Sequence, residues 1–347
     1  MKAAVIAFTR RGAELGEAVA RHLDATLHVP PRLAPETGAA ACGSLEAWTA
    51  EAWQSRDALI FIGACGIAVR AIAPHVQDKF TDPAVVVMDE GGHFVIPLLS
   101  GHVGGANALA VALAEVTGGQ AVISTATDVN GRFAVDVWAR EQGLAITDRQ
   151  LAKAVSAAIL ENEPVGFASD FDHACPPGLR PGRAELGVWV TCRSGGGPFP
   201  RTLRLVPRRL VLGIGCRRGI AQAAITRAVD AALEMAGLDP QAAAVVATIS
   251  LKAEEPGLLE FCREQGFPLQ VYSAEELAAV PGAFTASSFV RSVTGVDNVC
   301  ERAAAARGGT LLLDKQALED VTVAIALADP AQWPDPHVFE NVREKQE

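Results

Sequence analysis

The 347-residue sequence is short of several things, and each shortage removes a class of function. No uncharged apolar run reaches the roughly 18–20 residues that a membrane-spanning helix needs, so no membrane partner is expected. The opening MKAAVIAFTRRG regains charge at Arg10 and shows no small-residue cleavage site after a long apolar stretch. It reads as a first strand rather than a signal peptide, and a cytoplasmic protein is expected. The seven cysteines, Cys42, Cys65, Cys175, Cys192, Cys216, Cys262 and Cys300, form no CxxC pair. Their odd count and single placement argue against a structural zinc site or a disulfide framework. Small buried residues in a reducing compartment are the expectation for most of them. HxxxH and HExxH are missing, so a zinc hydrolase would need long-range assembly of His75, His93 and His102. A Walker-type GK[ST] is missing as well. Positive charge is in deficit, with 30 Lys and Arg against 40 Asp and Glu and a formal net charge of −10. Nucleic acid is therefore not an expected partner, since phosphate neutralisation needs a basic face. An anionic small molecule stays compatible, because a few cations and backbone amides build a positive pocket on an acidic protein.

What is present is apolar and periodic. Half the residues are hydrophobic, enough for a sizeable core, and the length suggests two or three domains. To about residue 145, strand-like and helix-like segments alternate. Lys2–Phe8, Ala58–Gly63, Ala84–Asp89, His93–Leu98 and Ala121–Thr125 read as strands, and Gly12–Leu23 as a helix. The turn Glu90-Gly91-Gly92 reads as a hairpin. Residues 146–208 lose this regularity in turn-rich stretches such as Cys175-Pro176-Pro177-Gly178, which leaves a small irregular subdomain or a linker open. Residues 209–330 restart the alternation, with strands at Arg209–Ile214, Ala243–Ile249, Leu269–Tyr272, Leu311–Leu313 and Val321–Leu327. Helices are expected over Ile220–Ala236, after Pro256, after the capping box of Ser273 and Glu276, and from Gly295 to Arg307. A tail covers 331–347. The expected fold class is α/β: two α/β domains, 1–145 and 209–330, with mostly parallel sheets, a less regular middle, and a ligand cleft between them.

Several of these segments end in residues that carry chemistry. LLSGHVGGANALA stops an apolar run at Ser100, presents His102, and turns on Gly101, Gly104 and Gly105 before Asn107 opens a helix. Such a corner admits a ligand to the backbone, and the free N–H groups of a helix start favour an anion. A Ser-capped helix with glycines for tight packing explains the same residues. GACGIAVRAIAPHVQDKFTDPAV places Gly63 and Gly66 after a strand, then Arg70, Lys79 and Asp82. Arg70, inside an apolar helical stretch, needs either a core carboxylate or a ligand carboxylate. Lys79 serves equally as a surface salt-bridge residue, and Asp89 and Glu90 as turn residues. Thr125-Ala126-Thr127-Asp128 supplies hydroxyls and a carboxylate that also suits a helix cap. The convergence of glycine-finished strand ends points to one crevice in the first domain. In the last domain Gly213, Gly215 and Gly219 surround Cys216, Arg217 and Arg218. Two arginines at a helix start oppose its dipole, which makes sense if they receive an anion. Lys252, Ser287 and Ser288 also follow apolar segments. No histidine between His173 and His337 stands ready to activate Cys216.

The run from GACGIAVRAIAP through LLSGHVGGANALA to STATD, with VLGIGCRRGI, ATISLKAEEPGLLEF, YSAEEL, SVTGVDNVCERAA and KQALEDVTVAIA, closely resembles the CbiG family of cobalamin biosynthesis, the cobalt-precorrin-5A hydrolases. The likeness is in order and covers nearly everything but the middle. It implies a hydrolase acting on a carbon–carbon bond in the anaerobic route to vitamin B12. Such an enzyme opens the δ-lactone of cobalt-precorrin-5A and releases acetaldehyde to give cobalt-precorrin-5B. Cobalt then arrives with the substrate and no separate cofactor or metal is expected. A corrinoid's many carboxylates suit Arg70, Lys79, Arg217, Arg218 and Lys252 together with glycine-lined amides at Gly63, Gly66 and Gly101. Asn107, Thr125, Thr127, Ser287 and Ser288 complete the expected binding set.

For the chemistry, His102 is the preferred acid or base, since imidazole titrates near neutrality. The amides around Gly104 and Gly105 would receive oxyanion charge, Ser100 is a donor or nucleophile, and Asp128 would orient the histidine. The alternatives are a non-catalytic corrinoid carrier or scaffold and a nucleotide-dependent enzyme using the GxG loops. A homo-oligomer and transient contact with pathway methyltransferases remain open.

Overall fold

The computed structural model describes residues 1–78, 81–102, 104–125 and 131–333. The chain divides into two compact units, with the boundary between Val137 and Trp138.

The first unit is built on a seven-stranded sheet. Its strands are β1 (Ala3–Ala7), β2 (Thr26–Val29), β3 (Ala40–Ala41), β4 (Ala58–Ile62), β5 (Ala84–Met88), β6 (Phe94–Leu99) and β7 (Gln120–Ala121), in the order β3-β2-β1-β4-β5-β6-β7. β1, β4 and β5 read AAVIA, ALIFI and AVVVM, and every residue in them is buried. Continuous apolar runs of this kind belong to parallel strands covered on both faces. Helices Arg10–His22 and Ala106–Thr117 cover one face, packing on Val5, Ile60, Ile62, Val86 and Met88. Helices Leu45–Ser55 and Cys65–Ile72 cover the other, over Ile6, Leu59, Phe61, Val85 and Val87. The alternation of those two lists along each strand is the period of two that a pleated strand imposes.

The first five strands in that order are mutually parallel. β6 returns antiparallel to β5, as the Glu90-Gly91-Gly92 hairpin predicts, and pairs Leu99 with Val85. β7 then runs parallel to β6. This reversal decides where site residues fall. The residues after β6 and β7 lie at the edge where β4 and β5 begin, while Gly63 and Asp89, which follow β4 and β5, lie at the opposite edge.

The second unit contains two five-stranded sheets. One occupies the turn-rich middle of the sequence: β8 (Leu144–Ile146), β9 (Val165–Ser169), β10 (Arg180–Pro181), β11 (Leu186–Val190) and β12 (Arg201–Pro207), ordered β10-β9-β11-β12-β8. Only β8 is antiparallel to its neighbour. The other comprises β13 (Leu210–Cys216), β14 (Ala243–Ile249), β15 (Leu269–Tyr272), β16 (Thr310–Leu318) and β17 (Val321–Leu327), ordered β15-β14-β13-β17-β16. β13, β14 and β15 are parallel, and the β16–β17 hairpin adds to β13 antiparallel. Helices Gln222–Ala236 and Pro256–Gln265 pack on one face of this sheet through Ile225, Val229, Leu233, Leu258 and Phe261. Ser273 and Glu276 form the expected capping box of helix Ala274–Ala279.

Candidate active site

The corner after β6 folds back on itself. The Ala106 amide donates to the Ser100 carbonyl at 3.1 Å, the Asn107 amide to the Gly101 carbonyl at 2.9 Å, and the Gly105 amide to the His102 carbonyl at 3.1 Å. Gly105 enters the helix at φ +83, and no side chain caps that N-terminus, so the Ser-cap reading does not hold. Two glycines are dictated by this packing. A Cβ on Gly101 would stand 2.6 Å from Asn107 Oδ1, and one on Gly104 would stand 2.4 Å from Ser100 Cβ. Asn107 is buried and donates through Nδ2 to Thr125 Oγ1 at 2.8 Å, tying the first helical turn to the chain after β7.

His102 is held from outside the turn. Its Nδ1 lies 3.3 Å and 3.4 Å from the two carboxylate oxygens of Asp136, and the side chains are 14% and 11% exposed. Asp136 sits in the first turn of helix Val135–Glu141, where a carboxylate also complements the helix dipole. A buried carboxylate on one ring nitrogen fixes the orientation of an imidazole and stabilises its protonated form. The sequence expectation gave that task to Asp128. Asp128, Thr127 and Lys79 lie outside the described residues, and Asp136 is the residue that the sequence reading missed. Its signal was weak: an acid in the first turn of VDVWARE explains itself as a helix-start residue.

Thus the structure brings together Ser100, Gly101, His102, Gly104, Gly105, Asn107 and Thr125. It does not bring Gly63 and Gly66 to them, and the single crevice expected of the first domain's strand ends is divided by the sheet between its two edges. Gly63 makes room for the Phe8 ring, whose Cδ2 would be 2.8 Å from an added Cβ. Arg70 is exposed and donates to the carbonyl of Gly66, one turn back, at 2.9 Å; among the described residues it meets no core carboxylate. Asp89 accepts the Gly91 amide at 2.8 Å and the Phe94 amide at 2.6 Å, and Glu90 accepts the Thr9 hydroxyl at 2.7 Å. Both are turn residues.

In the second unit, Arg217 and Arg218 follow β13 and Lys252 follows β14. Because those strands are parallel, the three cations share one sheet edge. The helix begins at Gln222, beyond both arginines, so the argument from an opposed helix dipole fails. Arg217 reaches the exposed Asp320 at 3.5 Å. Lys252 Nζ lies 3.0 Å from the buried Glu255, which also accepts the Gly219 amide at 2.6 Å. Burial alone would raise the Glu255 carboxyl, but Lys252, the Gly219 amide and the charge of Arg218 hold it below the ordinary carboxylate range. Ser287 caps helix Ser288–Thr294, accepting the Val290 amide at 3.4 Å; Ser288 is its exposed first residue. Burial pushes the Cys216 thiol up to about 11, with Lys252 opposing, so it is a poor nucleophile at neutral pH. Among the described residues no cluster of three or more His, Cys, Asp or Glu side chains is placed to hold a metal. Nor, among them, is any helix long and apolar enough to cross a membrane.

Family models match the chain in three consecutive parts: the cobalamin synthesis G N-terminal model over residues 47–128, the cobalamin biosynthesis central region over 133–207, and the cobalamin synthesis G C-terminus over 210–326. A cobalt-precorrin-5A hydrolase of Salmonella typhimurium is 36% identical over 341 residues, covering 94% of this chain and 97% of the relative. A cobalt-precorrin-5A hydrolase of Priestia megaterium is 31% identical over 315 residues, covering 82% of each. Among solved structures, a cobalamin biosynthesis protein G homolog from Sulfolobus solfataricus aligns over 94% of this chain and 97% of its own, at 19% identity and a TM-score of 0.40. Matched along its N-terminal, central and C-terminal parts, and across nearly the full length of the Salmonella relative, the chain belongs to the CbiG family of cobalamin-biosynthesis proteins.

Proposed function

We propose that this chain is a cobalt-precorrin-5A hydrolase, and that its reacting groups are those of the Ser100–Asn107 corner. The relatives' shared name supports the reaction. The observation that carries the site is the buried pair of His102 and Asp136 at the sheet edge that also holds Asn107 and Thr125. Water adds to the lactone carbonyl, and the ring C–O bond breaks to leave a carboxylate and a hydroxyl on the two-carbon bridge. Loss of the hydroxyl proton then lets the adjacent C–C bond break as acetaldehyde forms, and its electron pair stays with the conjugated macrocycle. Each step moves a proton, the work of an imidazole whose charge a carboxylate balances. Asp136 supplies that balance from a site where solvent screens it little.

Arg217, Arg218 and Lys252, set along one edge of the third sheet, suit the peripheral carboxylates of a corrinoid. Arg217 is the best placed to exchange partners, because its pair with Asp320 is exposed on both sides. Cobalt enters as part of the substrate. The reading sets the reaction in the cytoplasm among the pathway's methyltransferases. Nothing in the fold or the comparisons favours a non-catalytic carrier. Anaerobic incubation of the purified protein with cobalt-precorrin-5A, trapping acetaldehyde and weighing the corrinoid, tests the assignment. Stoichiometric acetaldehyde over a no-enzyme control is expected; tight binding of an unchanged lactone would overturn it.

A further inference from the structure

Ser100 departs from local comfort in two independent ways. Among the described residues, those other than glycine with a left-handed backbone are Asp24, Ser100, Asn162, Glu319 and Asp320. Four of the five are exposed; Ser100, at φ +55, is the buried one, at 7% exposure. Its Oγ is also a buried polar atom with no hydrogen-bond partner among the described residues. A β-carbon in the left-handed region crowds its own backbone, and a desolvated hydroxyl without a partner has given up its bonds to water. Glycine at position 100 would relieve both at once, in a turn already rich in glycine. The chain keeps the residue that carries both penalties, two positions from His102.

Strained, unsatisfied residues cluster where a ligand completes them. We propose that the Ser100 hydroxyl is a catalytic hydrogen-bond donor to the lactone carbonyl oxygen, serving it as negative charge develops there. The inference rests on the hydrolase reading above. A desolvated O–H is a strong donor to an oxyanion because no water competes for it. Gly104 lies against Ser100, close enough that an added Cβ would stand 2.4 Å from Ser100 Cβ, so the turn packs on Ser100 without a side chain at that position. The substrate's carbonyl oxygen takes the place that no acceptor among the described residues fills.

The test compares Ser100→Gly and Ser100→Ala with the wild-type enzyme, using cobalt-precorrin-5A under anaerobic conditions and thermal melting in parallel. Ser100→Gly should melt at or above the wild-type temperature while kcat falls on the order of 10²–10³-fold and KM stays within about threefold, as for loss of a transition-state donor. Ser100→Ala should lose as much turnover but melt below Ser100→Gly, since its methyl stays in the left-handed region. A Ser100→Gly enzyme turning over within about threefold of wild type would overturn the donor role and leave the hydrolase reading standing. A wild-type protein that releases no acetaldehyde would remove both.

Discussion

Replacing Asp136 by Asn keeps the size and shape of the group facing His102 and removes its charge. The two side chains are no more than 14% exposed, so solvent screens little of their interaction. A hydrogen bond to a charged partner contributes about 1.5–3 kcal/mol. The separations of 3.3 Å and 3.4 Å are long for such a bond, so the lower half of that range applies. Some 2 kcal/mol, felt mainly when the imidazole carries a proton in the transition state, corresponds to a loss of roughly 30-fold in kcat. KM should change little, because the bound ground state makes the same contacts. Acetaldehyde release can be followed through an alcohol dehydrogenase and NADH couple, with circular dichroism confirming the fold of each variant. An Asp136→Asn enzyme that is folded and turns over within about threefold of wild type would refute the assignment of Asp136 to the catalytic pair.

Three further outcomes follow from packing and charge. Gly104→Ala would place a methyl 2.4 Å from Ser100 Cβ and 2.9 Å from its carbonyl oxygen, so it should cost about 1–3 kcal/mol in urea unfolding; an unchanged midpoint would contradict the packing. Thiol reagents at pH 8 should modify the exposed Cys175 first and leave Cys192 and Cys262, both pushed up to about 12 by burial, untouched until the protein unfolds. Mass mapping that found either buried cysteine labelled alongside Cys175 would contradict their burial. Burial, then the charge of Arg209, hold the His173 imidazole below its ordinary value of 6.5, against the pull of Asp172. The unfolded chain therefore binds this proton first, and stability should decline as pH falls below about 6.5 toward the folded-state pKa. His173→Gln should show a smaller decline over that window, and equal slopes would refute it.

The central strands of the first and last sheets were legible because they are buried on both faces and read as continuous apolar runs, whereas the more exposed β2 and β3 were not read as strands. Ala243–Ile249, Leu269–Tyr272 and Val321–Leu327 are strands over the residues expected. Two strands of the middle sheet, β9 and β11, were hidden by glycine. Gly166 and Gly187 interrupt VGFAS and LGVWV, and in the structure the Phe199 ring occupies the space their side chains would take, 2.3 Å from an added Cβ at each. A glycine that admits an aromatic ring looks, in sequence, like a strand breaker. The corner at Ser100–Asn107 was visible as glycine chemistry, but two of its glycines answer to Asn107 and Ser100. The edge on which each strand end falls depends on the β5–β6 reversal, which no single motif records. Asp136, 34 residues from His102, is joined to it only by the fold.

The central claim is that His102 performs the proton transfers of lactone opening, and His102→Ala tests it most directly. The measurement is acetaldehyde released from cobalt-precorrin-5A under anaerobic single-turnover conditions, with binding of the corrinoid followed by its absorbance. The variant should fold, retain corrinoid binding within a few-fold, and release no acetaldehyde above the no-enzyme rate. Release at the wild-type rate would place the chemistry elsewhere in the molecule.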